Sequence, residues 1–451
     1  MTGEMGELPR VLPPVPMRDL PAHEGRYGAP GLRGRALIGE VERSGLTGRG
    51  GAAYPAGKKL AAVRERAGLR GAVVIANGME SEPASAKDAL LLARAPHLVL
   101  DGIALAAEAT SARAAYLCVR RQAQADALAA AIAERGGYDP VPVQLALVSE
   151  RYVSSAESSL VRYLSGGPAL PGFTPPRPFE RGVRGRPTLV SNVETLADLA
   201  LISRRGARWF RSAGTASAPG TALVTVSGAV RRPGVYEIAF GTPLQDVLAL
   251  AGGAGTGGVQ AVLAGGYFGS WLPGRALGTP AAPDALRAAG TSFGAGIFLI
   301  LPAAGCGLAE TARVVRYLAG QGAGQCGPCL NGLPAIADAL EQVAFGTGSG
   351  GRGAYGRALR GLRDLFGLVE GRGACHLPDG VARLAASAMR VFADDLRSHE
   401  RGPCLAARGR PVFAVPSGSA RASGSARAAG SARAAGSGRA AGSAVAWEAS
   451  A

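Results

Sequence analysis

Residues 44–60 read SGLTGRGGAAYPAGKKL and residues 72–83 read AVVIANGMESEP, a glycine-rich loop followed by an apolar run that ends in polar and acidic side chains. Gly48, Gly50 and Gly51 lack a Cβ, so their backbone N–H groups can approach a phosphate or a planar ring closely, and Arg49, Lys58 and Lys59 add positive charge. AVVIAN, 72–77, has the length and composition of a buried strand. Ligands of open α/β sheets sit beyond the carboxyl ends of the strands, which places Asn77, Glu80 and Glu82 on the edge of a crevice. In a chain with 68 glycines, a glycine-rich loop alone is a weak signal.

Working outward, a helix is expected at ALIGEVERSG before the loop, another ending near Ala107, and a third over 122–135, with further strands at 114–119 and 143–148. Strands alternating with helices predict a parallel, Rossmann-like sheet over 36–205. Residues 1–35, rich in Pro, Gly and charge, read as an irregular arm. After a break near Gly206–Gly220, two β-rich runs around a Pro-Gly turn and a short helix closed by Gly252 and Gly253 predict a small β-grasp domain over 216–305. Residues 306–405 read as a helical bundle, with segments at 333–345, 357–369 and 380–397. From 406 to 451 a six-residue repeat spaces Arg421, Arg427, Arg433 and Arg439 evenly without an apolar face, so a disordered tail is expected.

Composition limits the function classes. A chain of 451 residues exceeds one core and predicts roughly two to four domains. The formal charge of +16 is nearly all arginine, since only Lys58, Lys59 and Lys87 are lysines. The arginines are scattered and aromatics make up 5%, which argues against nucleic acid and for an acidic protein partner or an anionic nucleotide. The opening residues do not read as a signal peptide and no apolar run of about 18 residues appears, so a cytoplasmic protein is expected, meeting a membrane only through a partner.

Two further segments repeat the loop's theme: YVSSAESSL, 152–160, with Tyr152 and Glu157, and GRPTLVSNVETL, 185–196, with Ser191, Asn192 and Thr195. In the helical region GAGQCGPCLNG, 322–332, and GACHLPDG, 373–380, carry Cys326, Cys329 and Cys375. Two thiolates at C-x₂-C spacing clasp one face of a metal or cluster and a third arrives from a distant turn.

Taken in this order, SGLTGRGGAAYPAGKK, NGMESEP, PTLVSNVETL and CGPC resemble the F subunit of the NADH:quinone oxidoreductase (respiratory complex I) family, over about Arg43 to Arg397. The resemblance implies an FMN-binding Rossmann-like domain, a β-grasp domain of SLBB type and a C-terminal iron–sulfur region. It implies FMN held by Gly48, Arg49, Gly50, Gly51, Lys59, Asn77, Glu80, Tyr152, Ser191 and Asn192, with Tyr54 stacking on adenine. Glu82 and Glu157 would face the nicotinamide nucleotide as the catalytic carboxylates. The implied activity is hydride transfer from NAD(P)H to FMN, then single-electron transfer through the cluster to a redox partner: a 2Fe–2S subunit, a ferredoxin or a membrane oxidoreductase.

This sequence departs from the family pattern in four places. Met79, Ala156 and Thr174 stand where two acids and a lysine are usual, with Arg177 a candidate replacement for the lost charge, and Ala323 stands where a fourth cysteine is usual. Four outcomes follow for the thiol site: a [4Fe–4S] cluster with a non-cysteine ligand, a [3Fe–4S] cluster, a zinc site using His376, or no metal. A cluster on three cysteines is the reading favoured. Cys306 is expected far from it, because the intervening helix is about 20 Å long. Cys118 reads as core and Cys404 as an incidental thiol. A scaffold that keeps the fold without hydride chemistry is the alternative function.

Overall fold

The structure, a computed structural model, describes residues 8–149, 151–255, 257–346, 351–402 and 404–416. The chain runs α1 (Leu20–Tyr27), α2 (Gly34–Ser44), α3 (Ala56–Arg66), β1 (Ala72–Asn77), α4 (Lys87–Arg94), α5 (Pro96–Thr110), β2 (Ala112–Val119), α6 (Gln122–Glu134), β3 (Val143–Leu147), α7 (Glu157–Leu164), β4 (Thr188–Asn192) and α8 (Val193–Phe210). These elements form a four-stranded, all-parallel sheet of order β3-β2-β1-β4. The first three strands step one way and β4 returns to the far side of β1, so the topological switch point lies between β1 and β4.

Strand periodicity assigns the two faces. Ala72, Val74 and Ala76 of β1 join the core with α2, α3, α5 and α8, while Val73 and Ile75 join a second cluster with Met79, Cys118 and Leu160. Both faces are covered, which is why the strand reads as an unbroken apolar run rather than an alternating one. A register slip of one residue would exchange the two sets, so the pairing is strongly specified.

The next elements are β5 (Thr221–Gly228), β6 (Gly234–Ala239), α9 (Leu244–Leu250), β7 (Val259–Ala264), β8 (Ser270–Pro273), α10 (Pro283–Ala288) and β9 (Ile297–Pro302). Their mixed sheet has the order β6-β5-β9-β7-β8, a β-grasp arrangement. Phe298 and Ile300 of β9 pack under α9 and α10, whereas Ile297, Leu299 and Leu301 face the helical region. That region comprises α11 (Gly307–Gly320), α12 (Leu333–Phe345), α13 (Gly351–Val369), α14 (Leu377–Val391) and α15 (Ala393–Arg401). The β-grasp sheet is thus a shared layer. Trp271 locks the contact, its backbone N–H donating to Ser387 Oγ at 3.0 Å and its indole N–H to Thr311 Oγ1 at 2.9 Å.

Three sequence expectations need correcting. The arm 1–35 is not simply irregular: it contains α1, and Glu237 accepts the N–H groups of Arg10, Val11 and Leu12, burying Val11 and Leu12. Asp101 ties α1 in by accepting from His23 at 2.8 Å and from Arg135 at 2.9 Å. The helix expected over 380–397 breaks at Phe392 into α14 and α15. The break expected near Gly206–Gly220 falls between the end of α8 at Phe210 and the following strand at Thr221, with Gly206, at φ 81°, a kink inside α8. The tail expected from 406 does not begin there, because Phe413 stacks on Trp271 with ring centroids 5.7 Å apart and Ala407 is buried. The repeat at 417–451 lies outside the described residues. Among the described residues no single helix is long and apolar enough to cross a membrane; α4 and α5 pass together, but they bend by 97° and α5 is nearly all buried.

Candidate functional site

The strand ends build the site. Asn77 closes β1 and Asn192 closes β4 in direct register, so two carboxamides stand side by side at the switch point. Asn192 caps α8, its Oδ1 accepting from Glu194 N at 3.0 Å, and the positive end of that helix is directed to the same place. The glycine-rich loop lies against this pair. Arg49 N donates to Thr195 Oγ1 at 2.9 Å, and a Cβ at Gly50 would come within 3.4 Å of Asn192 Cβ. Gly51, at φ 108°, takes a conformation that favours glycine. Gly50 and Gly51 therefore expose a strip of bare backbone above the strand ends, with α3 beginning directly after the loop.

A buried ion network holds this platform from below. Lys87 Nζ donates to Asp88 at 2.6 Å, Glu194 at 2.7 Å and Asn192 Oδ1 at 3.3 Å, while Asn192 Nδ2 donates to Asp88 at 2.7 Å. The ammonium is held charged, its two carboxylate partners outweighing its burial. Asp198 is pushed up to about 8 by burial, against the pull of Arg49, so it is largely protonated at neutral pH. Sequence reasoning missed Lys87, Asp88, Glu194 and Asp198. The available signal was acid on an otherwise apolar helix, VETLADLAL.

Several expected contacts turn inward instead. The Arg49 guanidinium is buried, with Nε 3.3 Å from Asp198 and its carbon 4.7 Å above the Phe240 ring, and Nη1 donates to Thr47 O at 3.1 Å. Glu80, at φ 35°, caps α4 by accepting from Asp88 N at 2.9 Å and Ala89 N at 3.0 Å. Glu82 accepts from the Tyr152 hydroxyl at 2.9 Å and from Tyr267 N at 2.7 Å. Burial raises its carboxyl to about 7, opposed by those two bonds, so it is partly protonated near neutrality. Tyr152 is buried, packed on Phe268 with ring centroids 5.0 Å apart. Met79 is fully buried in the core, so its apolar side chain does not intrude on the crevice.

At the rim, Asn77 Nδ2 donates to Ser155 O at 2.9 Å, and two residues on Glu157 forms an ion pair with Lys59. Tyr54 is 46% exposed on the lip of the loop, and Ser191 is half-buried beside Asn192.

The thiol loop abuts the same rim. Tyr152 N donates to Gln321 Oε1 at 3.2 Å, Arg162 to Gln325 Oε1 at 3.0 Å, and Gln325 Nε2 to Pro171 O at 2.9 Å. Cys329 sits in a π-helical turn, Pro328–Gly332, preceded by Cys326. Burial raises the Cys329 and Cys375 thiols, while the N–H groups of Gly324 and Ala323 aimed at Cys329, and of Leu377 aimed at Cys375, favour their thiolates. Sulfur atoms supplied with backbone donors fit an iron–sulfur cluster. His376 points into solvent at 95% side-chain exposure and is paired loosely with Asp379, which removes the zinc arrangement. Cys306 lies at the opposite end of α11, as N-cap, and Cys118 is a core residue whose thiol burial pushes up to about 12. Cys404 is not incidental: it lies against Cys306 and His399.

The chain matches three family models: the Nuo51 FMN-binding domain over 41–201, the SLBB domain over 223–266, and the NADH-ubiquinone oxidoreductase-F iron-sulfur binding region over 309–399. It is 31% identical over 382 residues to the F 2 subunit of NADH-quinone oxidoreductase from Rhizobium meliloti, covering 80% of this chain and 88% of that one. The F subunit of the Mycobacterium tuberculosis H37Rv enzyme is 30% identical over 392 residues, 81% of this chain and 85% of that one. Among solved structures it is similar to a chain of NAD+-reducing [NiFe]-hydrogenase in the H2-reduced state, with TM-score 0.72 and 29% identity. That match covers 81% of this chain but 62% of the hydrogenase chain, under two thirds of its length.

Proposed function

Because this chain belongs to the family of NADH-quinone oxidoreductase F subunits, we propose that it is an oxidoreductase module that takes hydride from NADH on FMN and delivers single electrons through an iron–sulfur cluster. The observation that carries the reading is the register of Asn77 and Asn192 at the switch point, with Gly50 and Gly51 lying over them. When bound, FMN supplies two-electron acceptance and one-electron release. The protein's part is to bind and orient. Gly48, Gly50 and Gly51 offer bare backbone, Asn77, Ser191 and Asn192 offer hydrogen bonds, and the N-termini of α3 and α8 favour an anionic phosphate. Lys59 and Glu157 neutralise each other until a nucleotide phosphate competes for the lysine. Tyr54 has the exposure an adenine-stacking ring needs. Glu82 acts through Tyr152 as a positioning residue.

Cys326, Cys329 and Cys375 would hold the cluster, and Ala323, whose N–H faces Cys329, marks the missing fourth thiolate. A [3Fe–4S] cluster, or a [4Fe–4S] cluster completed by a non-cysteine ligand, is the finer assignment. Electrons would leave to a redox partner protein, and the charge of +16 favours one with an acidic docking face.

Anaerobically purified protein tests the reading directly. NADH should bleach a flavin spectrum, and iron should be present in the same sample. Protein lacking both flavin and iron would defeat the proposal. Ala323→Cys should convert a [3Fe–4S] EPR signal to a [4Fe–4S] one, and an unchanged spectrum would show that position 323 does not face the cluster.

A further inference from the structure

A second cysteine cluster lies at the other end of α11. Cys306 is the N-cap of that helix, His399 is in the last turn of α15, and Cys404 opens the segment that packs back onto the bundle. Their ligand atoms all lie within 4.8 Å of one another. Cys306 and His399 are buried and Cys404 is half-buried. The site is separate from Cys326 and Cys329: α11 has 14 residues, about 21 Å at 1.5 Å per residue, and Cys329 Sγ packs against Gly322, just past its far end.

We propose that Cys306, His399 and Cys404 form a structural site for one divalent, thiolate-preferring ion of the zinc type, which clamps the C-terminal segment onto the helical bundle. Geometry supports it first. Zn–S and Zn–N bonds of about 2.3 and 2.0 Å at a tetrahedral centre place ligand atoms roughly 3.5–3.8 Å apart. Cys306 Sγ and His399 Nε2 are already 3.4 Å apart, so only a small movement of Cys404 completes the set. The tautomer is suitable too, because His399 Nδ1 faces Val343 O at 3.2 Å and donates to it, leaving the Nε2 lone pair directed at Cys306.

Charge gives an independent reason. Two thiolates cancel a divalent cation, so the loaded site buries no net charge, and binding releases the two thiol protons to solvent. Ala309 N donates to Cys306 Sγ at 3.4 Å, a bond that favours the sulfur anion at the start of a helix.

The segment after Cys404 shows what the clamp would secure. Arg313 donates to Ala407 O at 2.8 Å, and Val412 N and Phe413 N donate to Glu310 at 3.1 and 3.2 Å. These bonds hold residues 406–413, and the proposed metal holds their beginning.

The experiment uses the full chain, purified anaerobically after growth with zinc. Metal analysis should find about one zinc per chain in addition to iron, and zinc-edge absorption spectroscopy should show two sulfurs near 2.3 Å and at least one nitrogen. Cys404→Ser and His399→Gln should each lower zinc at least tenfold while leaving iron and flavin unchanged. Cys326→Ser should do the reverse. Wild-type protein without zinc, zinc retained in both variants, or a Cys306–Cys404 disulfide in place of free thiols would overturn the proposal.

Discussion

The strand-end crevice and the thiol loop meet at one rim but are built by opposite means. The crevice is backbone geometry: two parallel strands in register, a capped helix and two bare glycines, supported by a core that covers both faces of the sheet. The thiol loop is side-chain work, a π-helical turn steadied by Gln321 and Gln325 reaching to residues 152–171. A site made of backbone fails when the chain's path changes, whereas a site made of ligands fails when one atom is lost.

The largest expected effect tests the second half of that statement. Cys329→Ser should remove the cluster and lower electron delivery to an external acceptor by roughly 100-fold, while NADH still bleaches the flavin. Iron analysis with separate flavin and acceptor assays checks it; equal loss of both activities would mean that the two regions are not separable.

Gly51→Val tests the first half. At φ 108° a branched side chain costs about 1–3 kcal/mol, so the loop should shift and FMN affinity should fall about tenfold, with iron unaffected. Flavin retention during dilution is the measurement, and normal retention would mean that the bare strip does not meet the flavin.

Tyr152→Phe acts on the joint between the regions. It removes the donor to Glu82 but keeps the ring on Phe268, so unfolding should become easier by about 1–2 kcal/mol with flavin and iron retained.

The smallest effect is a slope. Glu82 has its folded pKa raised from 4.5 to about 7, so its protonated form stabilises the fold fully below about pH 4.5 and that contribution is lost as pH rises through 7. Glu82→Gln should therefore flatten the stability curve between those limits; identical curves would remove Glu82 from the joint.

The parts legible in the sequence were those encoded locally. AVVIAN announces β1 because a strand covered on both faces must be apolar throughout, and the C-x₂-C pair announces a metal or cluster because its spacing spans one helical turn. Illegible were the directions side chains take. Arg49, Glu80 and Glu82 sit in motifs that suggest contact with a ligand, yet burial gives each an internal partner more than a hundred or only a few residues away. The place of Cys404 is illegible for the same reason, since nothing near it in the chain predicts that the segment folds back to Cys306.

By itself, then, the sequence determined the alternation of strands and helices, the glycine-rich loop at the strand ends and the C-x₂-C pair of Cys326 and Cys329, because each follows from periodicity or spacing within a few residues. Tertiary structure alone decided which charges are spent inside, how Asn77 meets Asn192, and that Cys306, His399 and Cys404 converge. The last two of these depend on contacts between segments 93 to 115 residues apart, where only packing of the whole chain selects the partner.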